Sequence, residues 1–139
     1  SGDDVAFRWL CLANEAAGHP LHLLTGHEVV VDGAYMSGAD GSVPGLANVD
    51  PEGYVRQWQA YERRDWETVR TEQDRLADLM RIVQVKGVVG FGAGVGAFKA
   101  ALHLLGVFDS PEMPRPVAAL EGDNVEHVAS VLRGVGLLS

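Results

Sequence analysis

Apolar residues recur at spacings of three and four through most of this chain. Val5, Trp9, Leu12 and Ala16 trace one helical face over residues 5–17, with Asp3 or Asp4 as the N-cap and Gly18 as the stop. The run Leu21-His22-Leu23-Leu24-Thr25 is too short for a helix and reads as a strand closed by Gly26. Residues 29–36 are apolar but broken by Asp32 and Gly33, and a short helix is expected there despite their β-branched content. Ala39-Asp40-Gly41 signals a tight turn, residues 42–46 a second short strand, and Asn48 to Pro51 a loop that opens a helix.

Beyond Pro51 nearly everything reads as helix. Residues 51–63 place Tyr54, Val55, Trp58 and Tyr61 inward, with Pro51 in the first turn. Asp65 caps a helix over 66–84 whose apolar members are Val69, Leu76, Leu79, Met80 and Val83; the charged face between them reads as solvated. Five glycines fall within 87–96, which predicts a flexible or closely packed connection. A short helix over 97–105 with Phe98, Ala101, Leu102 and Leu105 inward follows, then an extended crossing held by Pro111, Pro114 and Pro116, and a last helix over 125–132. Strand, loop, helix, strand, loop, helix is the rhythm of two βα units, an α/β pattern.

Composition narrows the function classes. With 139 residues, 47% of them hydrophobic, a sizeable core is available and disorder has no case. Eleven basic against nineteen acidic residues give a net charge of −8, a field that attracts neither phosphate backbones nor anionic lipid. No apolar run approaches the roughly 20 residues of a membrane span. Ser1-Gly2-Asp3-Asp4 is not a signal peptide, and the lone Cys11 fits core filler in a reducing, cytoplasmic setting.

No residue stands out as an unaided catalyst. The histidines at 19, 22, 27, 103 and 127 include no H-E-x-x-H pair and none beside the cysteine at ligand spacing, so neither a metal site nor a cofactor is expected. The glycine-rich 87–96 segment lacks the G-x-G-x-x-G spacing and the Lys-Ser/Thr pair of phosphate loops. No serine sits in a G-x-S-x-G elbow. Lys86 and Lys99, the only lysines, lie at a helix end and within a helix rather than in an apolar strand-end pocket that would lower an amine pKa. His27-Glu28 is the most suggestive pair, because it follows a short buried strand where α/β folds place ligands.

Several motifs in order carry a resemblance. Leu24-Thr25-Gly26 before an acidic residue, Gly38-Ala39-Asp40-Gly41, Ala47-Asn48 with Pro51 after it, and the later Gly96-Ala97-Phe98-Lys99-Ala100-Ala101-Leu102 with Leu105-Gly106-Val107 resemble the dihydrodipicolinate synthase and N-acetylneuraminate lyase family. The resemblance spans the whole chain and matches the family's C-terminal half. It implies the last part of a (β/α)8 TIM barrel: residues 1–63 would hold strands seven (21–25) and eight (42–46), and 64–139 the appended C-terminal helical domain.

The family's lysine, which forms an imine with pyruvate, ends strand six and is followed closely by Ser-Gly-Asp. Ser1-Gly2-Asp3 therefore implies that the nucleophile lies just upstream, so no catalytic residue is expected here. An N-terminal portion of the same enzyme would be the partner, a quarter barrel being unable to bury its own edges. A homo-oligomer, dimer or tetramer, is also implied. Site residues carry over as substrate contacts. Gly26 resembles the strand-seven glycine that lets substrate approach the backbone, and Glu28 the acidic residue that meets hydroxyls in sugar-acid lyases. His27 fits neither subgroup cleanly. Val43 resembles the apolar strand-eight residue beside the pyruvate-derived part, and Gly45 replaces a serine of the sialic acid lyases. The expected activity is a Schiff-base lyase or aldolase acting on a 2-keto-3-deoxy sugar acid. The alternatives are a dihydrodipicolinate synthase condensing pyruvate with aspartate semialdehyde, and a non-catalytic family member.

Overall fold

The computed structural model describes residues 3–139. Helix α1 spans Asp4–Ala16, strand β1 Leu24–Thr25, α2 Val31–Met36, β2 Gly41–Ser42, α3 Pro51–Glu62, α4 Trp66–Leu79, α5 Phe91–Leu104 and α6 Asp123–Gly134. Two short 3-10 turns, Gly45–Asn48 and Met80–Val83, follow β2 and α4. The two strands are parallel, with Leu24 opposite Gly41 and Thr25 opposite Ser42. Backbone hydrogen bonds extend the ladder by one residue at each end, Asp40 N–H to the Leu23 carbonyl at 2.8 Å and Val43 N–H to the Thr25 carbonyl at 2.7 Å. The chain divides into two compact units, one ending at Leu76 and the other beginning at Ala77.

The first unit is organised by caps and by helices laid against the strand pair. Asp3 accepts the Ala6 N–H at 2.9 Å and starts α1, as its position predicts, and the left-handed Gly18 ends it. The Asp40 carboxylate accepts the Leu23 N–H at 2.7 Å, tying the start of β1 to the turn before β2. That bond is the main cause holding the Asp40 carboxyl below the usual range, with His19 adding to it. Asp50 caps α3 through the Gly53 N–H (3.1 Å) and pairs with Arg75 of α4. Burial works against the Glu72 carboxylate, but Arg56, bonded to it at 2.9 Å, and the charge of Arg75 outweigh that and lower its pKa. Asp65 starts α4 through the Thr68 N–H at 3.2 Å.

In the second unit, α5, α6 and the Met80–Val83 turn pack together around Ile82, Ala97, Ala101, Leu102, Val128 and Leu132. Asn124 clamps the loop at Lys86 twice, accepting its N–H (2.8 Å) and donating to its carbonyl (3.0 Å).

Several expectations change. The strands shrink to two residues each, because a pair with no outer neighbours has little to bond with beyond the shared ladder. The periodic face of α1 is exposed, Val5 and Trp9 at 69% and Leu12 at 55%; the buried strip is Cys11 and Asn14 instead. The polar face of α4 is only partly solvated, since Gln73 is buried there. The glycines at 92, 94 and 96 fold into the first turns of α5, where a Cβ at Gly92 would come within 3.0 Å of the Val88 side chain. Val83 also yields its inward place to Ile82, and Val55 faces outward.

Gly53 is the tightest of these approaches. A Cβ there would sit 2.5 Å from Arg75 Nη2 and from Asp50 Oδ2, whereas at Gly94 it would meet nothing within 4 Å. Gly53→Ala is expected to cost about 1–3 kcal/mol by overpacking, while Gly94→Ala should be neutral or stabilise by up to about 1 kcal/mol through helix propensity. Urea unfolding of the full-length protein checks both signs.

Candidate functional site

The C-terminal ends of β1 and β2 bring together all five residues singled out by sequence. Gly26, His27 and Glu28 follow β1 directly, and Val43 and Gly45 follow β2. The Thr25 hydroxyl, buried at the strand end, accepts the His27 N–H at 3.2 Å and turns the chain out of the sheet. Glu28 then reaches across to the second loop, where its Oε1 accepts the Gly45 N–H at 3.2 Å. No hydrogen bond among the described residues involves Glu28 Oε2, and His27 Nδ1 is buried without a partner. Val43 is 67% exposed, its side chain free of the packed core.

Helix side chains fix the backbone of this loop. The Tyr54 hydroxyl donates to the Glu28 carbonyl at 3.0 Å, and Gln73 Nε2 donates to the same oxygen at 3.2 Å. Gln73 Oε1 meanwhile accepts the Val31 and Asp32 N–H groups (2.8 and 3.2 Å) and Gln57 Nε2 (3.0 Å). It thereby satisfies the open N-terminus of α2. Burial, reinforced by the negative charges of Glu28 and Asp50, pushes the Tyr54 hydroxyl pKa well up, so it remains a donor at any ordinary pH. Burial likewise raises Tyr35, whose hydroxyl lies 3.1 Å from Ser42 Oγ on the β2 side. A groove lined by Leu24, Ser42, Val43, Tyr54 and Trp58 runs along β2 and α3.

Tyr54, Gln57 and Gln73 were not among the candidates from sequence. Their one signal is a pair of glutamines placed among the apolar positions of two amphipathic helices, where a buried amide must find partners. Both lysines belong to the second unit: Lys99 Nζ donates to the Glu112 carbonyl at 2.7 Å from within α5, and Lys86 is exposed at its loop. Two imidazoles, His19 and His22, do converge with Asp40, at the opposite ends of the strands.

A sequence profile described as the dihydrodipicolinate synthetase family matches residues 8–134. The chain belongs to that family. Among curated proteins it is 31% identical, over 131 residues, to uncharacterized DapA-like lyases of two Halobacterium salinarum strains, covering 94% of this chain and 40% of each of theirs. Among solved structures, the dihydrodipicolinate synthase of Bacteroides thetaiotaomicron matches with a TM-score of 0.86 at 27% identity, over 96% of this chain and 44% of that one. The Thermotoga maritima dihydrodipicolinate synthase shares the fold at 24% identity, with a TM-score of 0.81 over 98% and 44%. This family member therefore spans about two fifths of the length of the curated relatives it matches. Its architecture is part of a (β/α)8 barrel, here a two-stranded unclosed sheet, followed by an appended helical region. No helix among the described residues is long and apolar enough to cross a membrane.

Replacing Gln73 by Ala should leave the Val31 and Asp32 amides and the Gln57 amide without their acceptor. A loss of about 1–3 kcal/mol for each unsatisfied buried group sets the scale. The expected outcome is a lower urea midpoint with an unchanged slope, and faster hydrogen exchange at the Val31 amide, measured on the full-length protein.

Proposed function

We propose that these residues form the C-terminal part of a pyruvate-dependent carbon–carbon lyase or synthase, with β1 and β2 as barrel strands seven and eight. In this reading residues 1–63 complete the barrel, 64–139 form the helical extension, and the imine-forming lysine lies in an N-terminal portion of the same enzyme. The unpaired strand edges and the exposed Val5, Trp9 and Leu12 of α1 supply surface for that portion. Val89, Phe91, Val107 and Phe108, exposed on the helical unit, support self-association as a dimer or tetramer. A reducing, cytoplasmic setting goes with the buried free thiol of Cys11.

The chemistry follows from the imine. Pyruvate condenses with a neutral lysine amine and loses water, and the protonated imine then accepts the electron pair left when a methyl proton departs. The resulting enamine adds to an aldehyde carbon, and the carbonyl oxygen takes up a proton. Water then hydrolyses the imine, freeing the lysine and a 4-hydroxy-2-keto acid; run backwards, the same steps cleave such an acid. Val43, exposed beside the β2 terminus, offers the apolar contact for the pyruvate-derived carbons, and Gly26 leaves the backbone open to the ligand.

Glu28 carries the choice of second substrate. Its carboxylate is already engaged by the Gly45 N–H, so its first role is to pin the two strand-end loops together. This favours condensation of pyruvate with aspartate semialdehyde, which brings no hydroxyls for Glu28 to bind, and the relatives named dihydrodipicolinate synthases point the same way. A sugar-acid aldolase is the second reading, favoured by two groups suited to hydroxyls in the loop after β1 that have no partner among the described residues, His27 Nδ1 and Glu28 Oε2.

Two experiments on the full-length enzyme test these assignments. Borohydride reduction in the presence of pyruvate should add a pyruvate-derived mass to a lysine outside these 139 residues; labelling of Lys86 or Lys99 would overturn the assignment, and no labelling would mark a non-catalytic family member. A panel of aldehydes tried with pyruvate should then single out aspartate semialdehyde. Glu28→Gln, which keeps an oxygen for the Gly45 N–H, should retain near-full kcat/KM with it. A loss of roughly 10- to 150-fold with a polyhydroxylated aldehyde, the equivalent of a charged hydrogen bond worth about 1.5–3 kcal/mol, would instead establish the sugar-acid reading.

A further inference from the structure

One group of donors is not used by the proposed reaction. His19, His22 and Asp40 meet at the N-terminal ends of both strands, His22 ahead of the β1 ladder and Asp40 immediately before β2. One ligand atom from each lies within 4.8 Å of the others. His19 Nε2 is 3.0 Å from Asp40 Oδ1, and His22 Nδ1 is 3.7 Å from the same oxygen. A tetrahedral zinc ion with bonds of about 2.0–2.1 Å holds its ligand atoms about 3.3–3.4 Å apart. The two separations bracket that value, and the exposed His22 ring is free to close the third.

Neighbouring groups select which atoms face the centre. Glu15 Oε2 lies 3.2 Å from His19 Nδ1, placed to accept the Nδ1–H of the tautomer whose Nε2 lone pair would face a bound ion; without an ion, Nε2 lies 3.0 and 3.2 Å from the two Asp40 oxygens. The Leu23 N–H donates to Asp40 Oδ2 at 2.7 Å, leaving Oδ1 for a ligand. A carboxylate behind a histidine and a backbone donor behind a carboxylate are the outer contacts that metal ligands use to hold their orientation. A plain ion pair accounts for His19 between two carboxylates. His22 Nδ1, on a side chain 89% exposed, lies 3.7 Å from the same carboxylate oxygen, beyond hydrogen-bond reach of it but at a distance that a shared ion can span.

We propose that His19 Nε2, His22 Nδ1 and Asp40 Oδ1 bind a divalent late first-row cation, zinc foremost, with water as the fourth ligand. Two imidazoles and one carboxylate suit this class of ion rather than magnesium or calcium, which take oxygen ligands. The site stands at the other end of the strands from Glu28. It fastens the turn around His19 to the start of β2, and so acts on the stability of the strand pair, not on the chemistry at its mouth.

The test uses the full-length protein, stripped with a chelator and titrated with zinc by calorimetry and with cobalt(II) by visible absorption. Wild type should take up zinc with one equivalent that depends on His22, show the strong absorption of tetrahedral cobalt, and melt at a higher temperature with zinc present. Glu15→Gln should weaken that equivalent by about 10- to 100-fold, the usual effect of losing an outer-shell partner, and Asp40→Asn should weaken it further. His22→Ala, at an exposed position, should remove the equivalent while leaving the circular dichroism spectrum unchanged. Failure of wild type to bind zinc stoichiometrically, or binding undiminished in His22→Ala, would overturn the proposal and leave the cluster as ion pairs.

Discussion

The amide of Gln73 is the contact on which the first unit depends. It is buried, and a buried amide is costly unless each polar atom finds a partner. Here its oxygen receives the first amides of α2 and the Gln57 side chain, and its nitrogen reaches the Glu28 carbonyl. One side chain on α4 thus fixes both the loop leaving β1 and the helix that the loop enters. The mouth of β1 is set by helices rather than by the strands, which are only two residues long and hold little geometry of their own.

The same pair of helices carries a second polar layer. Asp50 serves at once as the cap of α3 and as the partner of Arg75, while Glu72 joins Arg75 to Arg56. The layer is possible because Gly53 brings the α3 backbone close to Arg75 and Leu76, a distance that any side chain would widen. Val69, Leu76 and Ala60 fill the apolar space around it. A polar seam of this kind specifies one register between α3 and α4, since a slip of one turn would leave Asp50 and Gln73 buried without partners. Precise placement of the Glu28 backbone follows from that register, because Tyr54 and Gln73 hold it from different helices.

What sequence made legible, and what it hid, divides along the same physical line. Local signals were sufficient where an element is stabilised by its own residues: the Asp3 and Asp65 caps and the Pro51 start appear where they were expected, and α3 ends within one residue of its predicted end. The five site residues fall at the two strand ends because strand-then-glycine and turn-then-strand are local patterns too. Non-local contacts were hidden. Gln57 and Gln73 look like surface residues until α3 and α4 are brought together. His19, His22 and Asp40 carry no ligand spacing of their own, since the third donor comes from the following βα unit. The glycines from 92 to 96 read as a flexible or closely packed connection; they form the first turns of α5 instead, and at Gly92 a side chain would press on Val88 at 3.0 Å.

The α1 stripe gives the most direct argument about what the fold is for. Val5, Trp9 and Leu12 keep perfect helical spacing and still face outward, while the helix buries the small Cys11 and the polar Asn14, whose amide clasps the backbone of Leu21 at 2.8 and 3.1 Å. Periodicity reports that a face is meant to be covered, not what covers it. Helices flank a barrel sheet on its outside and make contact with neighbours on both sides, and in the proposed reading this stripe is the face that the N-terminal portion covers. The strands repeat the message: their shared ladder is satisfied, and each has a second edge with no partner among the described residues. In contrast, the backbones of the loops at the strand mouths are held by Tyr54, Gln73 and the Glu28–Gly45 contact, while Glu28 Oε2, His27 Nδ1 and the exposed Val43 side chain are left without partners among the described residues. The loop backbones are thus fixed where the chain is proposed to meet substrate, and apolar and strand-edge surface is open where it is proposed to meet the rest of a barrel.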